Sequence, residues 1–151
     1  MEHEIVNMDS FEIIGIGLAC TGFDTRGIPD LWELQFFPRI RELNPELRII
    51  GACLPAVDGF HYVAAAEMPS GSELPQGMEQ HVIPAARWFT MRYLGKPAEL
   101  IMSFAKILHE HLPAAGLKHA DGPICLEIYP QDCWNAQTGE VTADLYVQLE
   151  D

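Results

Sequence analysis

Hydrophobic and polar positions alternate along this chain in two successive rounds. The stretch Phe11-Glu-Ile-Ile-Gly-Ile-Gly-Leu-Ala-Cys20 is rich in Ile and predicts a strand. Residues 21–27 form a polar loop, and Pro29 and Asp30 open a helix. Leu31, Trp32, Gln35, Phe36, Ile40 and Leu43 recur at near-helical spacing. Pro38 falls inside that pattern and predicts a kink or break, because it lacks an N–H and crowds the preceding turn. Asn44-Pro45 ends the element. Strands are expected at 48–54 and 60–68, with a turn at 55–59 between them.

Residues 69–80 are rich in Gly, Pro and Ser and read as a linker. The order then returns. A strand is expected over 82–94 and a helix from 95–97. The face of that helix carries Leu100, Ile101, Phe104, Leu108, His111 and Leu112. Two further strands are expected at 124–129 and 141–149, with a long turn at 130–139. The last strand alternates: Val141, Ala143, Leu145, Val147 and Leu149 on one side, Thr142, Asp144 and Gln148 on the other. The fold class expected is α+β. It consists of duplicated β-α-β-β modules with pseudo-twofold symmetry, at about 5–68 and about 80–149. Antiparallel sheets carry helices on one face, and a ligand cleft lies between the modules.

Composition supports a single folded domain over 1–151, with 48% hydrophobic and 21% charged residues. The net charge is −13, from 9 basic and 22 acidic residues. That argues against direct nucleic-acid binding, which needs clustered Lys and Arg, and against docking on an anionic membrane. A basic protein partner is compatible with it, and a homodimer is a further expectation. The longest apolar run, Ile13 to Cys20, is far too short to span a bilayer, and the acidic N-terminus is unlike a signal peptide. Cys20, Cys53, Cys125 and Cys133 lack metal-site spacing and read as reduced thiols of a cytoplasmic protein. No metal or cofactor is expected. His109 and His111 point apart on a helix, and His3, His61, His81 and His119 are scattered along the chain.

Glu127 is the most informative residue. It interrupts the apolar strand Ile124-Cys-Leu-Glu-Ile-Tyr129 and shares a side with Cys125 and Tyr129. A carboxylate there either faces water or points into an enclosed cavity; sequence leaves both open. Burial would raise its pKa unless something pairs it. Trp32, Phe36, Phe60, Tyr62, Trp88, Phe104 and Tyr129 fall on strands or core-side helix positions. Each is explained by the core, but several rings around one carboxylate would suit a lipophilic cation.

The segments Ile28-Pro-Asp-Leu-Trp32, Phe60-His-Tyr-Val-Ala-Ala-Ala-Glu-Met68, Ile83-Pro-Ala-Ala-Arg-Trp-Phe89, Leu112-Pro-Ala-Ala-Gly-Leu117 and Glu127-Ile-Tyr129 together resemble the GyrI-like small-molecule-binding domain. This family includes the effector-binding domains of AraC-type and MerR-type multidrug regulators. The resemblance covers essentially the whole chain. It implies the duplicated fold and an aromatic-lined cleft for hydrophobic, often cationic ligands, with an acid matching Glu127 and rings matching Trp32, Tyr62, Trp88 and Tyr129. Two positions depart from the pattern: His111 stands where a Trp is usual, and Ala115 where a Ser often follows. The function expected is a stand-alone, cytosolic binding protein for lipophilic or aromatic cations, of the kind used in transcription regulation. The alternatives are a hydrolase of reactive drug-like molecules, with Glu127 catalytic, and a protein inhibitor of the gyrase-inhibitory type.

Overall fold

A computed structural model describes residues 3–22, 24–43 and 48–151. The expected helix end at Asn44-Pro45 lies outside the described residues. In chain order the strands are β1 (Glu4–Met8), β2 (Phe11–Thr21), β3 (Ile49–Ala56), β4 (Gly59–Met68), β5 (Glu79–Ile83), β6 (Ala86–Gly95), β7 (Cys125–Tyr129), β8 (Trp134–Asn135) and β9 (Glu140–Gln148). Two helical segments interrupt them, α1 over 28–42 and α2 over 97–114. The fold is therefore α+β, dominated by antiparallel strands. The chain divides into two compact units, residues 9–85 and residues 1–8 with 86–151.

In the unit of residues 9–85 the strand order is β5-β2-β4-β3, antiparallel throughout. The register sets Leu18 opposite Tyr62 and Cys20 opposite Phe60. Ile14, Cys20, Tyr62, Ala64 and Ala66 thus share one face, and α1 lays Leu31 and Phe36 on it, all buried. The helix is irregular. It runs as a single α turn at Ile28–Asp30, a π-helix at Leu31–Phe36 and a 3₁₀-helix at Phe37–Glu42. The change of winding beside Pro38 is the break expected there: the missing N–H stops the wider pattern and a tighter one begins.

In the other unit the order is β1-β6-β9-β7, with β8 pairing the start of β9. Val141, Ala143, Leu145 and Val147 of β9, and Leu149 just beyond it, are all buried, as the alternation predicted. Phe89 and Cys125 both oppose Val147, and Glu127 opposes Leu145, so these lie on the apolar face. The other face carries the exposed Arg92–Asp144 pair, at 2.9 Å. The apolar face takes α2, which packs on β6 and β9 and buries Leu100, Phe104, Ile107 and Leu112.

Three expectations need correction. Residues 82–94 are not one strand. Pro84, which cannot donate to a ladder, separates β5 from β6, and the two strands pair in different units. Residues 4–8 form a strand that was not expected, paired with β6. The turn at 130–139 contains the short strand β8. The repeat limits expected, 5–68 and 80–149, consequently do not coincide with the two units. No helix among the described residues is long and apolar enough to cross a membrane.

Candidate functional site

Glu127 is 4% exposed and is the only buried charged side chain among the described residues. The water-facing alternative is thereby removed. The strand that carries it is buried along Cys125 to Ile128. Two residues on, the Tyr129 hydroxyl donates to Glu127 Oε1 at 2.7 Å, the length of a charge-assisted bond. Strand pleat brings this about: positions i and i+2 share a face, so a phenol can reach back to the carboxylate. Cys125, on the same face, has its thiol pushed up to about 12, first by burial and then by the negative charge of Glu127. The face is dry and holds an acid, which a fold keeps only at a cost in desolvation.

A second group of expected residues gathers in the unit of residues 9–85. The Trp32 indole N–H donates to the Tyr62 hydroxyl at 3.0 Å. The Trp32 ring meets Phe36 edge-on, with centroids 5.4 Å apart, and Tyr62 at 6.4 Å. Tyr62 and Phe36 are fully buried, whereas Trp32 and Phe60 are only partly so and pack against the same cluster. Trp32 and Phe60 therefore have surface to offer a ligand, while Phe36 serves the core. Phe104 is also a core residue, 5% exposed, on the sheet side of α2.

Trp88 stands apart. It opposes Gln148, one position out of phase with Val147, so it lies on the sheet face opposite Glu127. It is fully buried and meets Tyr146 edge-on at 6.4 Å. Its indole N–H has no hydrogen-bond partner among the described residues. Period-two alternation within β6 could not reveal this, because the phase relative to β7 is set by the β9 pairing.

His61 and His81 are not scattered in space. Both rings reach Glu79, on the face of β4, β2 and β5 opposite Tyr62. The sequence reading missed this because it placed 69–80 in a linker. The signal available was the alternation Glu79, His81, Ile83.

The model of the GyrI-like small molecule binding domain matches residues 1–150. The transcriptional regulator BrlR of Pseudomonas aeruginosa is 30% identical over 155 residues, covering 99% of this chain and 56% of that protein. The chain thus spans little more than half the length of that relative. Among solved structures, SAV2435 bound to tetraphenylphosphonium aligns with a TM-score of 0.79 at 12% identity, covering 99% of this chain and 94% of the other. EcmrR in its DNA complex aligns at 0.67 with 15% identity, covering 99% and 57%. At these identities the structural matches speak for the fold. A whole-chain family match, a 30% identical relative and a shared fold together make this chain a member of the GyrI-like small-molecule-binding domain family, related to the effector-binding domains of transcription regulators.

Proposed function

We propose that the protein binds a lipophilic, aromatic cation as an effector, with Glu127 as its counter-charge. The observation that carries this is the carboxylate itself, 4% exposed on an apolar strand and held by the Tyr129 hydroxyl. A desolvated carboxylate is expensive for a fold to keep, and the phenol bound to it sets the direction of one of its oxygens. A cation with a wide apolar shell enters such a site at little desolvation cost and gains the charge. Trp32 and Phe60 contribute ring surface in the same reading, since ring faces attract positive charge. SAV2435, which shares the fold, is bound to tetraphenylphosphonium in its solved structure, a ligand of this kind. The duplicated β-α-β-β module belongs to the same proposal. It is supported by the like strand order of the two units, each an added edge strand followed by the first, third and second strands of a module.

The test separates charge from shape. Tetraphenylphosphonium and tetraphenylborate have nearly the same size and opposite charge. Titration of the protein should give saturable binding of the cation and at least tenfold weaker binding of the anion. Equal affinity for the two would show that apolar area alone governs binding.

A further inference from the structure

His61, Glu79 and His81 converge on one spot on the sheet face opposite α1. Their register explains how. Ala19 opposes His61 across β2–β4, while Gly15 opposes Glu79 and Ile13 opposes His81 across β2–β5. All three side chains therefore rise from the same face of β4, β2 and β5. Gly17 lies between them on the central strand, and a Cβ there would occupy the space of the Glu79 carboxylate and the His61 Nε2. The glycine leaves room for side chains from the two flanking strands to meet above it.

The meeting is close. His61 Nε2 lies 2.7 Å and His81 Nε2 2.5 Å from the same oxygen, Glu79 Oε2. The candidate ligand atoms of the three residues all lie within 4.8 Å of one another. The side chains are 30–35% exposed, so an ion can reach them.

We propose that His61, Glu79 and His81 form a binding site for a divalent transition metal of the zinc class. Two imidazole nitrogens and one carboxylate oxygen are a donor set suited to Zn²⁺, and three protein ligands leave a fourth position for water. Tetrahedral coordination at about 2.0–2.1 Å sets donor atoms about 3.3 Å apart, so the two nitrogens need withdraw from Glu79 Oε2 by less than about 1 Å. Each ring then presents a bare Nε2 and keeps its proton on Nδ1. The protein's net charge of −13 concentrates cations near its surface. A bound ion would tie β4 to the edge strand β5 across β2. This site is separate from Glu127 and does not depend on the cation-binding proposal.

The probe is Zn²⁺, with Co²⁺ as a spectroscopic reporter, added to tag-free protein stripped with a chelator. The expected result is one ion per chain at micromolar affinity. Visible absorption of a low-coordinate Co²⁺ site should appear in parallel, and Zn²⁺ should raise Tm by several degrees. His61→Gln/His81→Gln should weaken Zn²⁺ binding at least tenfold and abolish the Tm rise, with the Co²⁺ spectrum lost. His109→Gln/His111→Gln should leave all three readouts unchanged. If the first double variant does not fold, Glu79→Gln and Gly17→Ala provide the same comparison. Wild-type binding no tighter than about 1 mM, or equal affinity in wild type and the His61/His81 variant, would overturn the site and leave a hydrogen-bonded His–Glu–His cluster.

Discussion

At the scale of single residues, the environment of Glu127 is reported by its neighbour Cys125. The Cys125 thiol is held at about 12, against 9.0 for an ordinary cysteine, first by burial and then by the Glu127 charge. A raised folded-state pKa favours the folded state fully below pH 9. That contribution is lost as pH climbs from 9 towards 12, because the unfolded chain releases the proton first. Two results are expected. Iodoacetamide at mildly alkaline pH should leave Cys125 unmodified in the native protein and alkylate it in urea, as read by peptide mass spectrometry. From pH 9 upward the urea midpoint of wild type should fall more steeply than that of Cys125→Ala. Equal native and denatured alkylation of Cys125 would show that this strand face is wet. The sequence made Glu127 conspicuous because a charge in an apolar strand breaks an evident pattern. It could not say whether the Glu127 side of the sheet was dry, since that depends on pairing with a strand, β9, beyond the turn that follows β7.

At the scale of elements, short-range pattern and long-range pairing were legible to different degrees. The β9 alternation was readable because it repeats over several residues, and the face of α2 only in part. Leu100, Phe104 and Leu112 are buried as expected, whereas Ile101, Leu108 and His111 are half-buried. The fully buried Ile107 lies off the expected face, where the helix widens to π winding at Ile107–His111. β1 and β5 were not, because each is a five-residue strand lying beside turn residues. Their partners, β6 and β2, are far from obvious in the local sequence. Missing β5 also concealed the Glu79–His81 side of the histidine cluster. The α1 helix shows the same limit in another way. The Pro38 break was predictable and the π winding before it was not, yet Phe36, on the face expected, is the residue that turns inward. Phe36 is fully buried and Phe37 is 48% exposed. Phe36→Ala should lower unfolding free energy by about 3–5 kcal/mol in urea titrations. Phe37→Ala should lower it by about 1 kcal/mol or less. Similar losses for the two would contradict the helix phase that brings Trp32 onto Tyr62.

At the scale of the whole molecule, a strongly acidic chain of the GyrI-like small-molecule-binding family carries, among the described residues, one buried acid. The acidic surface adds a general attraction for cations, which is screened by salt, whereas a desolvated carboxylate acts at short range and is screened far less. These contributions are separable by a single substitution. Glu127→Gln keeps the shape of the side chain, removes one charge and changes the surface field little. The most direct measurement is isothermal titration of wild type and Glu127→Gln with tetraphenylphosphonium at moderate salt, after thermal unfolding has shown both proteins folded. Loss of a desolvated ion pair predicts an affinity lower by about 2–5 kcal/mol in the variant, roughly thirtyfold or more. Equal affinity in the two proteins would contradict the account, because the cation would then be bound without the buried carboxylate.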